Sequence, residues 1–141
     1  MIIPTFSRLW AHYPNGEAAT VKRSIGGNVN LAWVTNTCTI RISRAFNYSG
    51  APIPGNIPGL STIKGGDGKR YAYRVREFHQ FLIHHVKAPD ITGDVAGHQG
   101  LIMFKVSCWN DTTGHFDLWD GSKCAHQGYF DIADQVYLWS C

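Results

Sequence analysis

Two histidines and an aspartate lie close together near the end of the chain, where a strand pattern runs into a tight turn. The pair Asp120-Gly121 is flanked by alternating residues, which is a strong signal for a two-residue hairpin turn. In that register His115 faces His126, Asp117 faces Cys124 and Trp119 faces Ser122. Side chains opposed in this way have Cβ atoms roughly 4.5 to 5.5 Å apart, so the two imidazoles could share a hydrogen bond. The stretch therefore predicts a base with an orienting residue, as in nucleophilic catalysis.

Cys38, in the stretch NTC far upstream, is the candidate nucleophile. Asn36 or Thr37 can cap a helix that begins here. Free N–H groups and the positive end of the helix dipole stabilise a thiolate, lower the thiol pKa and can receive an oxyanion. A cysteine at a helix start, a histidine on a strand and a polar residue on the next strand follow the order of papain-like hydrolases.

Other interpretations of these residues stay open. Cys38 could be a structural residue, as most cysteines near helix starts are. A longer hairpin would place Cys108 opposite His115, although a strand cysteine lacks the N–H groups of a helix start. His115, Cys124 and His126 could instead bind zinc, which suits Cys and His ligands. A zinc hydrolase would also need a Glu general base, which is missing here.

Hydrophobic periodicity predicts four helices, at 6–13, 17–25, 36–48 and 71–86. The third would turn one stripe of side chains inward, formed by Cys38, Ile42, Ala45, Phe46 and Ser49. The segment 50–69 is rich in Pro and Gly and predicts a long loop, and 87–100 predicts another. Strand patterns then occupy the last third of the chain, in LIMFKVSCW, HFDLW, SKCAH and VYLWSC. Helices followed by a small antiparallel sheet predict an α+β fold.

Length and composition predict a single folded domain over residues 1–141, with 44% hydrophobic and 16% charged residues. The formal net charge of +3 is scattered, which is too weak a signal for a nucleic-acid binder. The chain begins without the apolar core of a signal peptide, and no stretch is long enough to span a membrane. We therefore expect synthesis in the cytoplasm. The four cysteines lack CxxC spacing, which disfavours a tetrathiolate metal site.

Several stretches resemble one family, the fourth family of type VI secretion peptidoglycan amidase effectors. The similar stretches are NTCTIRISRAFNYSG around Cys38, YRVREFHQFL, GLIMF, and GHFDLWDG around His115, together with W..YP near the start. They are spread over nearly the whole chain.

The resemblance implies a papain-like fold of the NlpC type, with N-terminal helices packed on the sheet. It implies cleavage of the amide bond between γ-D-glutamate and diaminopimelate in peptidoglycan stems, with Cys38 as nucleophile and His115 as general base. In the family the third catalytic residue is an Asp on the strand after the histidine, and in this sequence that position holds His126. His126 is thus the predicted third catalytic residue, with Asp117 in reserve. No metal or other cofactor is implied.

The resemblance also implies partners and a destination. Such an effector is carried by the secretion machinery into the periplasm of a target bacterium and is blocked by a cognate immunity protein. In that oxidising compartment Cys124 and Cys141 could form a disulfide. Trp10, Asn30 and Trp119 are candidate substrate contacts, and the loop 50–69 is a candidate cleft wall or immunity-binding surface. The non-enzymatic alternative is a peptidoglycan-binding module that uses its five tryptophans.

Overall fold

A computed structural model describes all residues from Met1 to Cys141. The helices are α1 (Phe6–His12), α2 (Ala18–Ile25), α3 (Cys38–Asn47) and α4 (Val75–His85), with a 3₁₀ turn at Gly27–Asn30. The strands are β1 (Thr62–Lys64), β2 (Arg70–Ala72), β3 (Ile91–Thr92), β4 (Gly100–Lys105), β5 (Gly114–Trp119) and β6 (Gln135–Ser140). None of the helices combines the length and apolar character needed to cross a bilayer.

The main sheet is antiparallel throughout and has the strand order β3-β6-β4-β5. Strands β1 and β2 form a separate small hairpin. Helices precede the main sheet in the chain, so the predicted α+β fold is confirmed. The order leaves β5 at one edge of the sheet, which is the edge that α3 contacts.

Strand β5 is buried along its whole length, but its two faces meet different layers. Phe116 and Leu118 belong to the large apolar cluster that also contains residues of α1, α3 and α4. Because successive side chains of a strand point to opposite faces, His115 and Asp117 face away from that cluster. The ring of Tyr129, from the segment before β6, packs edge-on at 5.0 Å from the His115 ring. The polar residues of β5 are therefore enclosed between the sheet and this segment.

Helix α3 is the central element, and nine of its ten residues are buried. The predicted inward stripe, which extends to Ser49, is buried in full. Polar side chains fix the helix against neighbouring backbone. Ser43 Oγ accepts the N–H of Ala72 at 3.0 Å, and Asn47 Oδ1 accepts the N–H of Ile53 at 2.8 Å. This anchoring sets the position of the helix start at which Cys38 lies.

Three predicted segments differ from the structure. The helix predicted at 71–86 begins only at Val75, because Arg70–Ala72 pairs with Thr62–Lys64 instead. The predicted loop 50–69 thus contains strand β1, and the predicted loop 87–100 contains the two-residue strand β3. Strands of two or three residues are too short to produce a period of two that could be recognised in a sequence.

The predicted register after Asp120-Gly121 is wrong. A type I′ turn needs positive φ at both central residues. Gly121 meets this requirement with φ 104°, but Asp120 does not, because no residue other than glycine has positive φ. Asp120 Oδ1 instead accepts the N–H groups of Ser122 and Lys123 at 2.8 and 2.7 Å. The turn is therefore longer, and Trp119 pairs with Cys124 in an isolated bridge. Neither the predicted facing of Trp119 and Ser122 nor a strand at SKCAH is formed.

Candidate active site

Cys38 is the first residue of α3, and 4% of its surface is exposed. Thr37 precedes the helix without a side-chain capping bond. The cap comes from Asn36, whose Oδ1 accepts the Cys38 backbone N–H at 3.1 Å. The sequence offered both residues as caps, and the structure selects Asn36. The Cys38 N–H is consequently occupied in the resting structure.

His115 brings an imidazole from β5 to the Cys38 thiol. Its Nε2–H donates to Asp117 Oδ2 at 2.7 Å, and the ring also interacts with the Cys38 side chain. Burial would by itself lower the pKa of His115. The hydrogen bonds to Asp117 and Cys38, together with the negative charges of both partners, outweigh it and raise the pKa to about 9. At neutral pH the imidazole is therefore protonated on both nitrogens and carries a positive charge.

Asp117 is fully buried and holds both carboxylate oxygens in hydrogen bonds. Oδ1 accepts the backbone N–H groups of Leu118 at 2.8 Å and His126 at 3.0 Å. Oδ2 accepts the N–H of Gln127 at 3.0 Å in addition to His115. A buried charge without partners would be costly, and these four donors remove that cost. The carboxylate is thereby fixed beside the imidazole.

His126 lies near His115 but does not form the predicted hydrogen bond with it. The ring centroids are 6.4 Å apart, and the hydrogen bond that position 126 makes to the site comes from its backbone N–H to Asp117. Burial and the nearby charge of Arg41 lower the pKa of His126. The direct opposition of His115 and His126, and of Asp117 and Cys124, was therefore wrong, because the longer turn shifts the register.

Arg41 is a buried cation beside the site that the sequence analysis missed. Only 2% of it is exposed. Its guanidinium donates to the carbonyl oxygens of Pro14 and Gly16 at 2.9 and 2.8 Å, and its Nε donates to Thr37 Oγ1 at 3.3 Å. It follows Cys38 by three residues, so helical spacing places both on one face of α3. That spacing was the signal that could have identified it.

These side chains open into a cleft of about 240 Å³. Cys38, His115, Arg41 and His126 line it together with polar residues from the flanking loops. Of the candidate substrate contacts, neither Trp10 nor Asn30 nor Trp119 lines this cleft, and neither does the segment 50–69. Trp119 is buried and donates its Nε1–H to the carbonyl oxygen of Val95 at 3.1 Å.

The other cysteines do not assemble a second reactive centre. All four thiols are free, so the pairing of Cys124 with Cys141 is not formed. Cys141 packs against the large helix-side cluster, and Cys124 packs against the smaller cluster on the other sheet face. His, Cys, Asp and Glu side chains nowhere converge in threes as metal ligands, so the zinc interpretation of His115, Cys124 and His126 lacks a ligand set.

Comparisons with known proteins agree on one family. Residues 34–139 match the family model described as type VI secretion system amidase effector protein 4. The effector Tae4 from Salmonella typhimurium, solved in complex with the immunity protein Tai4 from Enterobacter cloacae, is 30% identical, with 98% of this chain and 99% of that chain covered and a TM-score of 0.91. The Tae4 of the Enterobacter cloacae Tae4-Tai4 complex is 30% identical, with 98% of both chains covered and a TM-score of 0.88. For the complex from Salmonella Typhimurium the identity is 32%, the coverage 98% of both chains and the TM-score 0.91. No curated protein sequence matches the chain.

Helices packed on an antiparallel sheet, with a cysteine at a helix start facing a strand histidine, define a papain-like fold of the NlpC type. Within that class, the chain belongs to the family of type VI secretion system amidase effectors 4. It is a peptidoglycan amidase that is delivered to target bacteria, and it acts as an antibacterial toxin.

Proposed function

We propose that Cys38, His115 and Asp117 carry out the hydrolysis, within a single amidase domain formed by residues 1–141. The bond is the amide between γ-D-glutamate and diaminopimelate in a peptide stem. The observation that carries the proposal is the chain of contacts from a buried carboxylate to an imidazole to a thiol at a helix start. This is the base and orienting-group arrangement that activates a cysteine nucleophile.

The first step begins from a protonated imidazole. Because the pKa of His115 is raised to about 9, the imidazole is positively charged at neutral pH. The form of Cys38 that reacts is the thiolate, since a thiol is a poor nucleophile. The sulfur attacks the γ-carbonyl carbon of the glutamate, and the carbonyl oxygen becomes an oxyanion. His115 then gives its proton to the departing amine of diaminopimelate, which leaves a thioester on Cys38.

The second step returns the enzyme to its resting state. The neutral His115 ring takes a proton from water, and the hydroxide attacks the thioester carbonyl. The bond to Cys38 breaks, and the glutamate leaves with a new γ-carboxyl group, which gives its proton to solvent. The thiolate and the imidazolium are then formed again. Asp117 holds the ring in one tautomer through Nε2 during both steps. It acts on the substrate through His115 and is therefore a positioning residue.

The N-terminal end of α3 supplies the donors for the oxyanion. The Cys38 backbone N–H is one such donor, but Asn36 Oδ1 accepts it in the resting structure. Since one N–H cannot serve two acceptors well, the substrate oxygen has to replace the Asn36 oxygen there. Productive binding therefore includes a rotation of the Asn36 side chain.

We also infer the site of action and the inhibitor. The substrate lies in the periplasm of the target cell, so the effector, made in the cytoplasm, has to reach that compartment to act. The similar Tae4 proteins were solved in complexes with Tai4 immunity proteins. By that likeness, a cognate immunity protein that covers the cleft is the expected inhibitor of this chain.

The experiment that tests the proposed function compares Cys38→Ala with Cys108→Ala on purified peptidoglycan. Cys108 is exposed and lies outside the cleft, so its variant is the matched control. We expect the wild type and Cys108→Ala to release new amines, with fragment masses that identify the γ-D-glutamyl-diaminopimelate bond. Cys38→Ala should release none while keeping its circular dichroism spectrum. Full activity of Cys38→Ala would overturn the proposal.

A further inference from the structure

A second cavity adjoins the catalytic cleft and is larger, at about 370 Å³. The two share Thr35, Asn36 and Asp111 in their walls, so they form one continuous groove. None of the residues that line only the second cavity takes part in the proposed hydrolysis. A substrate with its scissile bond at Cys38 would extend along this groove.

The second cavity carries two arginines and one aspartate. Arg76 is exposed and makes no hydrogen bond or ion pair, while Arg74 pairs with Glu77 at 3.3 Å. Asp111 is the acidic residue of the wall. An unpaired guanidinium on a concave surface is a ready site for a carboxylate, because its planar donors match the two oxygens. The carboxylate of Asp111 could take an ammonium group in the same cavity.

Aromatic rings form the rest of the wall. Trp33 is 53% exposed, and its ring meets the Tyr73 ring edge-on at 5.1 Å. The Arg74 guanidinium lies 5.3 Å from the centre of the same Tyr73 ring. A large exposed ring beside charged groups suits a ligand that joins methylene groups to a charged end.

We propose that this cavity binds the free end of the diaminopimelate side chain, with its carboxylate on Arg76 and its ammonium on Asp111. This inference rests on the proposed cleavage at diaminopimelate. That residue is attached to the scissile amide at one end, and its other end carries one carboxylate and one ammonium group, joined by methylenes. Both charges have a partner of opposite sign in the cavity, and the methylenes have Trp33. A crosslinked stem, in which that amine is acylated, loses the contact to Asp111.

The test measures binding by calorimetry with the Cys38→Ala variant, so that it does not depend on turnover. The ligands are a soluble tetrapeptide stem with diaminopimelate, the same stem with lysine in its place, which lacks the carboxylate, and a stem whose side-chain amine is acetylated. We expect the diaminopimelate stem to bind about tenfold more tightly than the lysine stem. In the Cys38→Ala background, a further Arg76→Gln substitution should remove that difference in affinity. A further Asp111→Asn substitution should instead remove the preference for the free amine over the acetylated one.

Arg23→Gln is the matched control, because Arg23 is an exposed arginine of α2 outside both cavities. It should leave all three affinities unchanged. If Arg76→Gln retained the preference for diaminopimelate over lysine, or if the three stems bound equally well, the subsite would be excluded. Hydrolysis by the wild type is measured in parallel. Stem binding with no hydrolysis would contradict the proposed function alone, and hydrolysis with no selectivity would contradict the subsite alone.

Discussion

Asp117 Oδ2 lies 2.7 Å from His115 Nε2, while the same carboxylate receives three backbone N–H groups. The residues are two positions apart on β5, so both side chains leave the strand on one face. The backbone donors come from Leu118, His126 and Gln127, which hold the carboxylate before any substrate arrives. The carboxylate that orients His115 therefore needs no rearrangement during the reaction.

Replacing Asp117 by Asn should slow the reaction and change the titration of His115. The amide has nearly the same shape. Its NH₂ group cannot accept a hydrogen bond, however, and it must face N–H donors that contact the carboxylate in the wild type. We expect the pKa of His115 to fall from about 9 towards its ordinary value and kcat to fall about a hundredfold. NMR titration of the imidazole and steady-state kinetics measure the two effects. Asp131→Asn, an exposed control, should change neither, and an unchanged His115 titration in Asp117→Asn would contradict this explanation.

His126→Ala should retain activity within a few-fold of the wild type. Position 126 contacts the site through its backbone N–H, which alanine keeps. His126→Pro removes that donor from Asp117 and should lower kcat by a larger factor. Kinetics of both variants on a stem peptide give the comparison. A loss of about a hundredfold in His126→Ala would instead make its imidazole the third catalytic group.

The activity should fall on the alkaline side as His115 loses its proton. The leaving amine takes a proton from the imidazolium, which is present only below the pKa of about 9. We expect kcat/KM to decrease as the pH rises through about 9. In Asp117→Asn the same decrease should begin at lower pH. A rate that stays constant well beyond pH 9 would show that the imidazolium is not the proton donor.

Stability should follow the same titration with a definite sign. His115 binds its proton more tightly in the folded chain than in the unfolded chain, where its pKa is about 6.5. The resulting stabilisation is complete below that lower value and is lost as the pH rises through about 9. Calorimetric Tm values should therefore decline between these two pH values, and the decline should be smaller in His115→Gln. An equal decline in that variant would assign the effect to other groups.

Arg41→Lys should destabilise the fold although it preserves the charge. An ammonium group cannot reach the two carbonyl oxygens and the Thr37 hydroxyl that the guanidinium contacts together. We expect the free energy of unfolding to fall by roughly 1 to 3 kcal/mol. Urea titration measures it, and Arg23→Lys on the exposed face of α2 should remain within about 0.5 kcal/mol of the wild type. Equal stability of the two variants would mean that the buried contacts contribute little.

The helix that carries Cys38 could be predicted because several independent signals agreed on it. Asn36 is a capping residue, the apolar stripe has helical spacing, and Gly50 follows the end. The sequence predicts the start of helix α4 at residue 71 and not at Val75, because Tyr71 fits both a helical stripe and a short strand. The choice between them depends on pairing with Thr62–Lys64, which is a long-range contact that local periodicity does not contain.

The hairpin illustrates how local turn chemistry can be misjudged. Asp120-Gly121 fits a two-residue turn, but the Asp120 side chain accepts two N–H groups and extends it. A two-residue turn would place His126 opposite His115, whereas in the structure the partner of His115 is Asp117. Alternation along β5 places Asp117 on the same face as His115 without any assumption about the turn.

Buried Arg41 is the part of the site that sequence reasoning was least able to find. A charged residue on a helix is normally expected to face solvent. Its two shortest hydrogen bonds are to backbone carbonyls of the turn after α1, and any residue type provides such carbonyls. Only the spacing from Cys38 pointed to it.

Bond cleavage and substrate recognition are assigned to different parts of the groove. The groups proposed for bond cleavage come from a buried helix and a buried strand, whereas the groups proposed to recognise diaminopimelate are exposed, on a loop and at the start of α4. Substitutions at positions such as Arg76 and Asp111 can therefore redirect the toxin towards cell walls with other stem chemistry and leave the thiol and imidazole undisturbed. Competition between bacteria can therefore select changes in target range at a few exposed side chains.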